Sequence, residues 1–97
     1  MVTTYAYQLL ERATAALPVS DEELIFKGVA ACVSERMIAL KKVATQFKRK
    51  YGSVEALEEK VQTGGVSPDD HTLYTDLLEW RAVNQEISEL LNLLETL

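Results

Sequence analysis

Few residues in this chain of 97 could perform chemistry. His71 is the only histidine, and it stands near the carboxylates of Asp69, Asp70 and Asp76. A zinc or transition-metal site would need a second imidazole or thiolate at helical spacing, but positions 74 and 75 hold tyrosine and threonine. We therefore predict no metal site around His71 and no bound cofactor.

Two other features could belong to an active site. Cys32 is the single cysteine, and its neighbours Ala31 and Val33 place it beside an apolar helix seam, where a thiol packs as a small hydrophobic group. The pair Gly64-Gly65 is followed by Val-Ser-Pro and not by the lysine of a phosphate-binding loop. We predict that the protein is not an enzyme.

Composition limits the compartment and the number of domains. A single cysteine cannot form an internal disulfide, which favours a reducing compartment. The first residues show no basic start followed by an apolar run, and no segment reaches the ~20 apolar residues of a membrane span. We expect one cytoplasmic domain over residues 1–97, with no membrane contact and no small-molecule substrate.

The strongest polar signal is a basic cluster in the middle of the chain. It consists of five cations close together in sequence: Lys41, Lys42, Lys48, Arg49 and Lys50. A phosphate backbone or an acidic partner could follow such a row along the outer side of a helix. The alternative is structural, because cations in the last turn of a helix complement its dipole. The cluster is thus the candidate contact surface for nucleic acid or an acidic partner.

Formal charge is distributed unevenly along the chain. The net charge of −5 divides into −3 for residues 1–26, +6 for residues 27–50 and −8 for residues 53–97. The simplest interpretation is that the basic and acidic stretches neutralise each other within one fold. In the other interpretation, the acidic stretch binds a basic partner.

Two long apolar stripes must position these side chains. Residues 21–51 repeat apolar residues in alternating steps of four and three, and residues 67–97, which begin with a capping Ser67, carry the same repeat. Stripes of this kind pair along their length as two supercoiled helices. The antiparallel register that matches large with small residues brings Lys50 near Asp76.

Two shorter helices complete the predicted fold. Residues 4–17 form an N-terminal helix that ends before Pro18, and residues 54–62 form a short connecting helix. We expect the first helix to lie along the early part of the 21–51 helix, where small residues around Gly28 allow the closest contact in the fold. The prediction is an all-α antiparallel helical bundle built on a long two-helix hairpin.

The segment from Phe47 to Glu58, and again the segment from Asp76 to Trp80, resembles small helical prokaryotic proteins of uncertain function. Some of these are antitoxin-like partners of toxin–antitoxin pairs. The resemblance covers roughly the last two thirds of the chain. It implies a helical fold with a protein partner, and it implies no catalytic residues.

Surplus leucines in residues 67–97 indicate an interface. Four of them exceed what the two short helices can cover: Leu78, Leu90, Leu93 and Leu97. We therefore expect a homodimer or a protein partner, and we interpret the chain as a non-enzymatic protein–protein interaction module of the antitoxin-like kind. Two alternatives stay open: a nucleic-acid-associated helical protein that uses the basic cluster, and a structural homodimer without an external ligand.

Overall fold

The computed structural model of the chain describes residues 3–64 and 71–97. Over these ranges the fold contains no strand and consists of four α-helices: α1 (Thr4–Ala16), α2 (Asp21–Tyr51), α3 (Val54–Gly64) and α4 (Thr72–Thr96). The long helices α2 and α4 pack against each other. They run antiparallel, since Lys50 at the end of α2 pairs with Asp76 at the start of α4, as the register predicted. The predicted all-α hairpin bundle is confirmed.

Local capping explains where the helices begin and end. The hydroxyl groups of Thr3, Ser20 and Ser53 each accept a hydrogen bond from the backbone N–H three residues further on, at distances of 3.0 to 3.2 Å. Gly52 follows α2 with a φ of 87° and donates its N–H to the carbonyl of Lys48 at 2.8 Å. That left-handed backbone ends α2 because a glycine adopts it without steric cost.

The predicted helix bounds are close to the observed ones. α2 spans the predicted residues 21–51, and α1 ends at Ala16, one residue early. α3 continues to Gly64, beyond the predicted end at residue 62, because one glycine lowers helix propensity without removing the backbone hydrogen bonds. The described part of α4 begins at Thr72, and the predicted start at Ser67 lies outside the described residues.

The hydrophobic core lies where α3 packs against the hairpin. Leu57 of α3 is completely buried, in one cluster with Tyr51 of α2 and with Leu77 and Trp80 of α4. Phe47 packs against the same cluster. Three helices therefore share one core at this end of the molecule.

The close contact expected around Gly28 is absent, and that prediction is wrong. A Cβ atom built on Gly28 meets no neighbouring atom within 4 Å, and α1 has no buried residue. Small side chains permit two backbones to approach, but they supply little apolar area to hold them together. α1 consequently leaves the early part of α2 largely uncovered.

Candidate interaction surfaces

Burial divides the molecule into a packed end and an unpacked end. Every buried residue of the described chain lies between Val33 and Val83. The unpacked end, defined as residues 3–32 and 84–97, comprises α1, the start of α2 and the end of α4. The two stripes continue into it, but α3 covers them only at the opposite end.

The unpacked end carries most of the exposed hydrophobic side chains. Nine large ones are exposed there: Tyr5, Tyr7, Leu9, Leu17, Ile25, Phe26, Leu91, Leu93 and Leu97. The rest of the described chain exposes three, which are Ile38, Tyr74 and Leu78. Single exposed hydrophobic residues are normal, whereas a concentration of them makes this end of the molecule the candidate interaction surface.

The surface area and the shape of the chain agree with this division. The chain exposes 7446 Å² at a mass of 10.9 kDa, whereas the scaling relation for folded monomers gives about 5,600 Å². The radius of gyration is 20.2 Å, against about 12.5 Å for a compact domain of this length. The excess surface is about 1,900 Å² per chain. The molecule is therefore an elongated body with more exposed surface than a compact domain of the same mass.

The four leucines predicted as a partner interface are spread along α4. Leu93 and Leu97 are exposed at the unpacked end, and Leu90 is half-buried close to them along α4. Leu78 is also exposed, but it lies about 18 Å from Leu90 along the helix axis. Three of the predicted leucines thus lie at the unpacked end, and Leu78 lies at the packed end.

Four of the five cations in the basic cluster remain unpaired on α2. Lys41, Lys42 and Arg49 line a shallow groove of about 410 Å³ together with Ile38. Lys41 also lines the adjoining groove between α2 and α4, together with Lys48. Within the described ranges none of the four forms an ion pair. We call Lys41, Lys42, Lys48 and Arg49 the basic track.

Lys50 is held within the fold. Its ammonium group lies 3.4 Å from the Asp76 carboxylate, which also accepts a hydrogen bond from the Tyr51 hydroxyl at 2.5 Å. Hydrogen bonding to Tyr51, and then to Asp76, raises the pKa of Lys50. Burial, assisted by the bond to Asp76, raises the pKa of Tyr51. Lys50 is therefore neutralised by α4 and does not extend the basic track.

A second ion pair joins the two long helices near their middle. Arg36 donates two hydrogen bonds to the Glu86 carboxylate, at 2.5 and 2.9 Å. The hydrogen bonds raise the pKa of Arg36 and lower the pKa of Glu86. Among the described residues, Arg36 and Lys50 are the cations of α2 that pair with α4. Neutralisation of one long helix by the other is therefore partial.

The residues considered for metal or thiol chemistry do not come together. His71 is exposed just before α4, while Asp69 and Asp70 lie outside the described residues. In residues 3–64 and 71–97 no three His, Cys, Asp or Glu side chains form a group that could hold a metal ion. Cys32, expected beside the helix seam, is exposed, because its neighbour Val33 occupies the buried position.

The sequence prediction missed two parts of the exposed surface. Ile38 is 68% exposed beside the basic track, and Tyr5 and Tyr7 are exposed on α1. All three lie off the apolar stripes that predicted the hairpin and its first helix. The sequence could have revealed them, because they are large hydrophobic residues at positions that the predicted helix pairing does not cover.

Comparison with known proteins gives one match. The family model described as the Uncharacterized protein MJ0235 family matches residues 1–97. The chain belongs to this family. No curated protein and no solved structure matches the chain. Of the helices in the described ranges, none combines the length and the apolarity that crossing a bilayer requires.

Proposed function

We propose that the chain is a non-enzymatic helical module that binds another protein through its unpacked end. The observation that carries the proposal is the group of nine large hydrophobic side chains exposed in residues 3–32 and 84–97, where no described residue is buried. α1 supports it further, because an isolated helix of 13 residues is marginal in water and this one buries none of its side chains. A partner that covers α1 would stabilise it.

The charge of α4 supports a partner of basic character. Glu79, Glu89 and Glu95 form no ion pair with any residue that the structure describes, so they remain available to a cationic surface. The resemblance to antitoxin-like proteins also supports a protein partner, because such proteins act by binding another protein. We therefore propose an antitoxin-like role in which α4 contributes to partner binding.

The test compares two substitutions at equally exposed positions. Phe26 is 50% exposed at the unpacked end, and Leu78 is 46% exposed at the packed end. Purified wild-type chain should associate in sedimentation experiments at tens of micromolar, or capture a specific protein from the native cells. Phe26→Asp should abolish this binding, while Leu78→Asp should leave it unchanged. A wild-type chain that stays monomeric and captures nothing would refute the proposal.

Nucleic-acid binding is a second candidate function, and the basic track favours it. Four unpaired cations along one helix can follow a row of phosphates, and such binding weakens steeply with added salt. The net charge of −5 opposes it through long-range repulsion. Filter binding at low salt should retain DNA or RNA on the wild-type chain and lose it with Lys42→Glu. If the wild-type chain retains no DNA or RNA even at the lowest salt concentration, nucleic-acid binding is excluded as a function.

A further inference from the structure

We infer that the partner of the unpacked end is a second copy of this chain, and that the two copies lie antiparallel, with the unpacked end of each against the basic track of the other. This inference rests on the proposed function, because it names the occupant of the same surface. Three independent observations support it: the area of the uncovered surface, the placement of unpaired charges, and the hydrophobic side chains beside those charges.

The excess surface of the whole chain is as large as a homodimer interface. Two copies that each cover an excess of about 1,900 Å² would bury about 3,700 Å² in total. Obligate homodimers bury roughly 2,000–5,000 Å², whereas standard complexes between separately stable proteins bury roughly 1,600 Å². An extended symmetric interface between two copies therefore has enough surface to form.

The unpaired charges of α2 match best between antiparallel copies, although Lys27, which follows the acids, then lies opposite Lys41. α2 begins with Asp21, Glu22 and Glu23, none of which forms an ion pair within the described part of the chain. The basic track lies on the same helix, about 35 Å further along. A two-fold axis near Ser34 places each acidic start beside the other copy's basic track, so the attraction forms twice. Successive residues turn by about 100°, so the three acids present carboxylates on several sides of the helix end.

Other arrangements of two copies place like charges together. A parallel pair would set the acidic start of one α2 beside the acidic start of the other, and one basic track beside the other. An end-to-end pair would join two unpacked ends, each of which carries Asp21, Glu22 and Glu23. Like charges brought together at an interface weaken binding, so the antiparallel overlap is favoured.

Hydrophobic side chains accompany the charges on both surfaces. Phe26 follows the acids and is 50% exposed, whereas the similarly exposed Ile25 lies about 160° around the helix from Lys41 and outside this surface. On the other surface, Ile38 is 68% exposed and lines the groove of about 410 Å³ that Lys41 and Lys42 border. A helix with apolar side chains and acidic flanks fits a groove with apolar walls and a basic border.

A charge exchange tests the arrangement. One variant carries Glu22→Lys with Glu23→Lys, and the other carries Lys42→Glu with Arg49→Glu. Each alone should raise the homodimer Kd by about tenfold or more, because the first variant makes the start of α2 net positive opposite the basic track, and the second cancels the net charge of the track. Mixing the two variants should restore a dimer with one copy of each, since the unchanged acidic start of one copy then faces the unchanged basic track of the other, and the new lysines face the track that carries the new glutamates. Glu55→Lys with Glu59→Lys, on the exposed side of α3, is the matched control and should leave the Kd unchanged.

The possible results separate the inference from the proposed function. Recovery of the mixed dimer, measured by native mass spectrometry, supports the antiparallel pair. A wild-type monomer that captures a different protein in a Phe26-dependent manner overturns the inference and leaves the proposed function standing. A wild-type monomer that captures nothing overturns both. A wild-type dimer insensitive to both charge variants, or one dissociated by nucleic acid bound to the basic track, also overturns the inference.

Cys32 supplies a second measurement, since it is the single cysteine and is exposed. It lies two residues from the position proposed for the two-fold axis. Nitroxide labels on Cys32 of two paired copies should therefore be within about 30 Å of each other, given helix axes 8–10 Å apart. Longer distances between the labels would overturn the antiparallel overlap.

Discussion

Phe47 of α2 stacks on Trp80 of α4, with ring centroids 5.7 Å apart and ring planes 23° from parallel. Trp80 is buried in the cluster that α3 completes with Leu57. The stack therefore joins the two long helices at the point where the third covers them. Because Trp80 is the only tryptophan, its fluorescence reports directly on this contact.

Replacing the ring of Phe47 should weaken the packed end moderately. Phe47→Leu keeps an apolar side chain but loses the aromatic stack, so the free energy of unfolding should fall by about 1–2 kcal/mol. Urea unfolding followed by Trp80 fluorescence measures this change. An unchanged midpoint would show that the stack does not stabilise the hairpin.

Truncating Leu57 should be among the most destabilising changes in α3. The side chain has no exposed surface, so Leu57→Ala removes buried apolar contacts and leaves a cavity, at a cost of about 2–5 kcal/mol. Leu78→Ala, at an exposed position on α4, should change stability by less than about 0.5 kcal/mol. Far-ultraviolet circular dichroism during urea unfolding compares the two. Equal effects would contradict the position of the core.

Two glycine substitutions should change the stability of the protein in opposite directions. Gly28 lies within α2 with open space around it, so Gly28→Ala should stabilise the protein by about 0.5–1 kcal/mol through improved helix propensity. Gly52 has a φ of 87°, so Gly52→Ala should destabilise it by about 1 kcal/mol. Thermal unfolding of both variants measures the contrast. A loss of stability in Gly28→Ala would show that another element packs closely there.

The Tyr51 hydroxyl should make stability fall at high pH. Its pKa is raised above the ordinary value of 10.0, so its contribution is complete below pH 10 and is lost as pH rises through the raised pKa. Lys50, whose pKa is also raised, adds a loss in the same direction. Tyr51→Phe should cost about 1–2 kcal/mol at neutral pH and should lose less stability on further alkalinisation. Urea unfolding at a series of alkaline pH values tests this, and parallel curves for both proteins would contradict it.

The ion pair between Arg36 and Glu86 should affect how stability depends on pH in the acid range. Because the pKa of Glu86 is lowered, its contribution is present above the ordinary value of 4.5 and is lost as pH falls through the lowered pKa. Glu86→Gln should therefore reduce the slope of stability against pH in this acid range. Thermal unfolding between neutral and acid pH measures the slope. An identical slope in the variant would show that the exposed pair contributes nothing to folding.

The helices of this protein could be predicted from sequence because their signals are local. Ser20 and Gly52 bound α2 through hydrogen bonds within one turn, and the four-and-three repeat identifies the face that meets α4. The basic track could be predicted for the same reason, since residues seven apart share a helix face. The pairing of Lys50 with Asp76 could also be predicted, because the register of the two stripes sets which residues of α2 and α4 meet.

The sequence by itself determined which residues can be buried, and only the tertiary structure decided which residues are. Phe26 and Leu91 continue the same stripes as Met37 and Trp80, yet the first two are exposed and the last two are buried. Periodicity selects a face of a helix, but burial requires a neighbouring element to cover that face. Here α3 packs against one end of the hairpin, and the other end has no comparable cover in a single chain.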